Sequence, residues 1–500
     1  MATPATVPTR GAAPPAPGPP AGPPVRLRFG YASGSLVTAT FTTLPGLLLL
    51  PYLTDTLGVG AALAGAVVFV PKAWDAVLNP LVGRASDRTR TRWGARRPYV
   101  LWGGLAMAAA FALTFAGPLP GTAGAWFTAA GYLLTATAFA FFQVPYVAMP
   151  AELADRDEDR MRLVGGRVAV IGVAALVTGA AAPALIDAGG GGLAGHRWAG
   201  VFGAVVIALG ALWVFAGTAG TSAARAAAPP GRPPGAGSTP GTLPGGAPTP
   251  GGPGESPRRR RARVRPAGSA PHSLGLRDQF AAARANPSFR ALLWCAVVQS
   301  AATGVLLAGA PYFADHVLRD SAGLGPLVVA FVAPNLLTVP LWSRLRGRRG
   351  YGWASALFAA GCLLLLAAPV LPPAAVLAVM ALAGTGHAGQ LLFLYAMLPQ
   401  CIARDGKRGG AGRDGSGRAG VLAGLFTTGE GLGVAAGPFV FGLVLQLSGY
   451  ASSGTGRAAE QSAAAELGVL AGFAALPALA TAAAVVLLRG YDRPPAPTDP

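Results

Sequence analysis

Pro51-Tyr52-Leu53-Thr54-Asp55 returns later in the chain as Pro311-Tyr312-Phe313-Ala314-Asp315, an offset of 260 residues (311 − 51). The same offset relates Pro80-Leu81-Val82-Gly83-Arg84 to Pro340-Leu341-Trp342-Ser343-Arg344 (340 − 80 = 260). A weaker echo pairs Tyr146-Val147-Ala148-Met149-Pro150 with Tyr395-Ala396-Met397-Leu398-Pro399. Two short matches at one offset say more than either alone. They divide the chain into two similar halves of the same orientation, the kind of internal repeat that membrane carriers show as weak sequence symmetry.

The repeated motifs close apolar runs. Of the 500 residues, 52% are hydrophobic and only 12% charged, against about 25% charged in a soluble domain. Leu101–Ala116, Val168–Ala182, Val201–Ala216 and Leu467–Leu488 carry few or no charges. They approach or reach the roughly 20 apolar residues that a spanning helix needs. Alternating barrel patterning is absent, so helices are the viable spanning structure. The expectation is an all-α polytopic membrane protein of twelve transmembrane helices in two six-helix bundles. Spans are expected near 29–53, 61–84, 98–117, 124–150, 165–188 and 198–219, then near 290–317, 323–343, 352–371, 374–400, 419–448 and 464–489.

Residues 1–27 are rich in Pro, Ala and Gly, lack a signal-peptide core, and read as a disordered tail. The bundles are expected at 28–219 and 289–489. Between them, 220–288 reads as a flexible linker whose centre, Pro229–Pro271, is Pro/Gly-rich and holds Arg258–Arg261. Residues 490–500 form a short second tail. Arg84–Arg97, the linker, Arg344–Arg349 and Arg404–Arg418 each follow an even-numbered span. The alternate loops are short or carry Asp187, Asp315, Asp320 and Glu466. By the positive-inside rule both termini are cytoplasmic, which implies a multi-pass protein of the cell membrane. The net charge of +19 is thereby explained without a nucleic-acid partner. Only Lys72 and Lys407 are lysines, and the basic surplus is arginine. Cys295, Cys362 and Cys401 lie far apart in sequence and form neither a disulfide framework nor a metal spacing. The four histidines are scattered, and no nucleophile elbow or phosphate loop appears, so enzymatic chemistry is not expected.

The most specific stretch is Lys72–Tyr99, KAWDAVLNPLVGRASDRTRTRWGARRPY. It closely resembles the second span and following loop of the glycoside–pentoside–hexuronide cation symporters, the melibiose-permease-like branch of the major facilitators. Tyr52–Gly58, Pro145-Tyr146, Arg162–Arg167 and Glu430–Pro438 resemble other segments of that family, and the resemblance covers about residues 28–220 and 275–490. It implies the major facilitator fold, a substrate bound between the halves, and uptake of a sugar or related small solute driven by a sodium or proton gradient. No other cofactor is implied. The partners are that solute and the bilayer, and a monomer is the default.

Lys72, Asp75, Asn79 and Gly83 recur at three- and four-residue steps and share one helical face. Charges within a span are costly and face a cavity or a partner. Two readings fit: a Lys72–Asp75 ion pair that orients the helix, or a role in ion coupling, with Asn79 beside it. Glu430 is the acid deep in the eleventh span. It fits either a pairing with Lys72 in one state of a transport cycle or a local partner. Asp87, Arg88, Arg92, Trp93 and Arg97 stand at the cytoplasmic mouth, as a gate whose charges pair in one state and part in the other, or as a positive-inside anchor. Arg167 aligns with a sugar-contacting arginine of the family, and its guanidinium suits hydroxyl acceptors. An interfacial anchor is the alternative. Ser35, Gln143, Tyr146, Gln299, His387 and Gln390 complete the candidates for a polar cavity, although such residues are more often helix–helix glue.

The chain departs from the family pattern where Ser35, Asn79 and Gln143 replace acidic residues and Gly431 replaces a lysine. Asp75 is the surviving carboxylate of the cation site. One carboxylate beside Lys72 makes a poor sodium site, which favours a proton. The competing function is an efflux carrier for a drug, metabolite or lysolipid-like amphiphile on the same fold.

Overall fold

The computed structural model describes residues 23–117, 119–154, 156–219, 284, 286–320, 323–345, 347–408, 415–454 and 459–491. The expected tail 1–22, most of the linker (220–283) and the tail 492–500 lie outside the described residues. Among the described residues there is no strand. The first six long helices are α1 (Val25–Thr56), α2 (Ala61–Arg88), α3 (Arg97–Thr114), α4 (Gly121–Ala148), α5 (Asp157–Ala188) and α6 (Gly192–Gly217). The second six are α7 (Pro287–Leu318), α8 (Leu324–Leu337), α9 (Gly347–Val370), α10 (Pro373–Arg408), α11 (Gly415–Leu447) and α12 (Ala463–Gly490). Among the described residues, ten candidate spans are long and apolar enough to cross a bilayer, and α3 and α8 complete the two sets of six. The architecture is the expected all-α, two-bundle membrane fold.

Local chemistry sets several boundaries. Asn286 caps α7, its side chain accepting from the Phe289 N–H at 3.0 Å, with Pro287 at the first helical position. Ser462 caps α12 in the same way. α8 is shorter than the expected 323–343. It stops at Leu337, and a separate turn, Val339–Trp342, follows. Pro340 cannot donate a backbone hydrogen bond to a continuing helix. α10 and α11 run further than expected, into the basic stretch between them.

The repeat is structural as well as textual. Both α1 and α7 end in a wide π-helical turn, at Tyr52–Thr56 and Phe313–Leu318. These are the segments that the two Pro-Tyr motifs encode.

Within each half, glycines let helix backbones touch. Lipid offers no hydrophobic drive between helices, so close backbone packing has to hold the bundle. A Cβ at Gly103 of α3 would lie 2.9 Å from the Phe142 nitrogen of α4. Gly30 of α1 and Gly217 of α6 face each other, and Gly304 of α7 faces Val434 and Gly437 of α11.

The halves meet along three helix pairs. Gly46 of α1 packs on Leu307 of α7, Gly65 and Phe69 of α2 on Phe439 of α11, and Gly179 of α5 on Val328 of α8. These contacts gather toward the end that carries Asp55, Asp187, Asp315 and Glu466, here called the closed end. Toward the other, basic end the helix faces are open: a Cβ at Gly165, Gly424 or Gly431 would meet nothing within 4 Å. The result is a cleft between two bundles, shut at one end.

Gly304→Leu is expected to force α7 off α11 and to lower stability by about 1–3 kcal/mol, read as a drop in the thermal unfolding midpoint in detergent. Gly431→Leu, in open space, is expected to leave that midpoint nearly unchanged.

Candidate functional site

The cleft walls carry charges, and the structure gives each an unusual environment. On α2, Lys72 does not pair with Asp75. Its ammonium lies 3.4 Å from the centroid of the Phe41 ring and 5.4 Å from that of Phe139. A desolvated ammonium gains roughly 2 kcal/mol or more over such a face. Asp75 Oδ1 is buried and has no hydrogen-bond partner. Asn79 follows one turn on, half-buried on the same helix. Of the two sequence readings of Lys72 and Asp75, the orienting ion pair is therefore not formed in this structure.

The wall of the first bundle is built around Tyr146. Its hydroxyl donates to the Tyr31 carbonyl at 2.8 Å and lies 3.4 Å from Ser35 Oγ. Ser35 Oγ donates to the Arg167 carbonyl at 2.9 Å, which ties α1 to α5. The Arg167 guanidinium sits 5.2 Å from the centroid of the Tyr146 ring. Its Nε is buried without a partner, as is the Tyr31 hydroxyl. Thr38 donates to Gln143 Oε1 at 2.8 Å. Ser35, Gln143, Tyr146 and Arg167 are thus brought together.

On the second bundle, Glu430 of α11 is held by Tyr395 of α10, whose hydroxyl is 2.7 Å from each carboxylate oxygen. Tyr395 is half exposed, at 50%. Glu430 therefore has a local partner here and not Lys72. Tyr146 and Tyr395 are mates in the weak sequence echo, and each stands beside a charge, cationic in one half and anionic in the other.

Gln299, Gln390 and His387 are not part of this wall. Gln299 Nε2 donates to Gln390 Oε1 at 2.8 Å, and Gln390 donates to Ser355 Oγ at 3.2 Å. Tyr351 and Thr481 both donate to Gln299 Oε1 at 3.3 Å. Gln299 is 2% and Gln390 0% exposed, so the two amides bind α7, α9, α10 and α12 to one another. His387 lies against Phe331 and Phe358 and near Thr303 Oγ1. The three act as internal glue in the second bundle, because the side chains that could satisfy them all lie inside it.

At the basic end, Arg96 is the hub, and the sequence reading passed over it. Arg96 hydrogen-bonds Asp87 at 3.3 Å and the Ala148 carbonyl, and its Nε lies 3.2 Å from Glu152 as an ion pair. One guanidinium thus joins the end of α2 to the turn after α4, a task suited to its planar fork of donors. Asp87 therefore pairs within its own half. Arg97 is 5% exposed, donates to the Phe215 carbonyl at 2.6 Å and stacks on that ring. Trp93 meets Phe215 edge-on at 5.4 Å, and Arg92 lies over Trp93. These residues dock the loop on the end of α6, while Arg88 is exposed. The signal for Arg96 was only one arginine among many. For Tyr395 it was the sequence echo.

Two six-helix bundles around a charged cleft define the architecture of a membrane carrier. The chain matches the family described as MFS/sugar transport protein over residues 30–241 and 257–492. It belongs to that family, in its glycoside–pentoside–hexuronide symporter branch, and the family comprises membrane transporters rather than enzymes. It is 31% identical over 182 residues to the putative glycoside/cation symporter YagG of Escherichia coli, which is 36% of this chain and 39% of that one. It is 29% identical over 155 residues to the glucuronide carrier protein homolog of the same organism, 31% of this chain and 33% of that one. The matched segments thus span well under half the length of either relative. Among solved structures, an inward-facing, occupied bacterial homolog of the human lysosomal transporter Spinster superposes with a TM-score of 0.56 over 93% of each chain. At 16% identity that likeness shows the fold alone.

Arg96→Ala is expected to cost about 1–3 kcal/mol, since it removes charge-assisted bonds around a largely buried guanidinium. Thermal unfolding in detergent checks this, with Arg90→Ala, at an exposed site in the same loop, expected within about 0.5 kcal/mol of the parent.

Proposed function

We propose that the protein is a secondary active transporter that works by alternating access, a cation-coupled symporter of a sugar, glycoside or related small solute. The observation that carries this reading is the set of charges lining one cleft, Lys72, Asp75, Arg167 and Glu430, none of which has an opposite charge in ion-pair contact among the described residues. Charged side chains inside a membrane mark pathways for ions and substrates. Membership of a sugar-transport family supports the same conclusion.

Proton coupling is favoured over sodium. Sodium needs several oxygen ligands and a compensating charge, whereas Asp75 has a lysine one turn away and Asn79 one turn beyond. A carboxylate with an unpartnered oxygen can still take up and release a proton. Arg167 and Gln143 on one wall, held from behind by the fully buried Ser35 and Tyr146, with Tyr395 and Glu430 on the other, offer donors and acceptors for hydroxyls. The basic end is assigned to the cytoplasm by the positive-inside rule, which puts both termini there and makes this the inward-open state of a cell-membrane protein acting as a monomer.

Uptake into proteoliposomes tests the reading. A panel of labelled sugars and glycosides is offered under imposed proton or sodium gradients, with the native chain beside Asp75→Asn. The expected result is accumulation driven by the proton gradient, reduced at least about tenfold in Asp75→Asn, with counterflow exchange of the same solute retained. Accumulation driven by sodium alone would reject proton coupling. Absence of accumulation under either gradient would reject symport and bring forward the efflux carrier for a drug, metabolite or amphiphile.

A further inference from the structure

The closed end is held by an uneven set of bonds. Three hydroxyls of the loop between α11 and α12 all donate to the tip of α1 and the turn after it. The Tyr450 hydroxyl donates to Asp55 Oδ1 at 2.9 Å, Ser452 Oγ to the Val59 carbonyl at 2.8 Å, and Ser453 Oγ to the Asp55 carbonyl at 2.8 Å. All three cross from the second half of the chain to the first. A fourth bond between halves joins Thr54 Oγ1 and the Tyr312 hydroxyl at 2.7 Å. Asp55, Tyr450 and His316 are each 8% exposed.

His316 orients the central donor. Its Nε2 lies 3.0 Å from the Tyr450 hydroxyl, and its ring meets the phenol edge-on. The phenol gives its proton to the Asp55 carboxylate, so it accepts from His316, which fixes the Nε2–H tautomer. The two backbones also touch. Gly58 and Gly454 both adopt left-handed conformations, with φ of 70° and 67°, and a Cβ at Gly58 would lie 3.1 Å from the Gly454 Cα. Only glycine allows both the turn and the approach.

The repeat makes the asymmetry visible. Asp315 is the mate of Asp55 and lies in the same kind of π turn on α7. The loop in the first half that corresponds to 450–454 is the turn between α5 and α6, Gly189-Gly190-Gly191-Gly192, which has no side chain to donate. Asp315 is only half-buried. Among the described residues, the loop of the second half grips the first, and the glycine turn of the first offers no side chain in return.

We infer that the Tyr450–Gly454 loop is the latch that keeps this end shut, with Tyr450, Ser452 and Ser453 as the gripping groups and His316 as a positioning residue. The bonds exist in only one of the two states, so their free energy bears directly on the balance between those states. Removing the Tyr450 hydroxyl leaves the Asp55 carboxylate buried without its donor in the shut state, whereas water would satisfy it in the open one. The cost falls on the shut state alone. The latch deepens the alternating-access reading, and its test needs neither a substrate nor a coupling ion.

Spin labels at Leu119→Cys and Leu467→Cys, exposed positions near the closed end on opposite halves, report their separation by pulsed electron resonance in lipid nanodiscs. Cys295, Cys362 and Cys401 are buried. Tyr450→Phe is expected to raise the long-distance population by roughly fivefold or more, and Ser452→Ala with Ser453→Ala to move it in the same direction. Tyr491→Phe, which removes a buried phenol bonded to the Met397 carbonyl inside the second half, is expected to leave the distribution unchanged. An unshifted distribution in both loop variants would overturn the proposal, as would an equal shift in Tyr491→Phe.

Discussion

A charge inside a bilayer must find water, a partner or a polarisable face, and this constraint governs the whole molecule. Lys72, Asp75, Arg167 and Glu430 all lie within spanning helices, and none is neutralised by an opposite charge in direct contact. Three have a partial remedy. Lys72 rests on the face of Phe41, Arg167 on that of Tyr146, and Glu430 accepts from a single phenol. Asp75 keeps one oxygen with no partner. At up to several kcal/mol per charge in hydrocarbon, four such groups call for water beside them. A gap between two bodies admits it.

The remaining features keep each of those bodies intact. Inside each half, glycines at helix crossings replace side-chain packing with backbone contact. Inside the second half, Gln299 and Gln390 bind four helices through a fully partnered buried network. Such a network resists shear within the bundle, because any displacement strands a buried amide. Between the halves the contacts are fewer and gather at one end. The polar ones there join hydroxyls to one carboxylate and two backbone carbonyls, groups that water can also satisfy. The packing is thus firm within each body and sparser between them.

Much of the architecture was legible in the sequence because it rests on periodicity. The apolar runs, the basic loops and the repeats at Pro51 and Pro311 follow from a bilayer of fixed thickness and a duplicated fold. The face shared by Lys72, Asp75 and Asn79 follows from helical spacing alone. What the sequence did not reveal depends on which helix stands opposite which. Phe41 as the support of Lys72, the mutual pairing of Gln299 and Gln390, and Arg96 as the hub of the basic end all join residues distant in sequence, and no local pattern marks them. Arg96 was hidden further by the abundance of arginine around it. Tyr395 was readable in principle, as the mate of Tyr146.

The central claim, that the charges line a water-filled cleft open only at the basic end, is tested most directly by side-specific labelling. Tyr395→Cys places a thiol beside Glu430, while the native cysteines are buried. A membrane-impermeant thiol reagent is applied to oriented vesicles from each face in turn. The account predicts rapid reaction from the basic face and little from the other. Failure to react from either face would mean that the charges sit in a dry interior, and reaction chiefly from the opposite face would mean that the closed end is not closed.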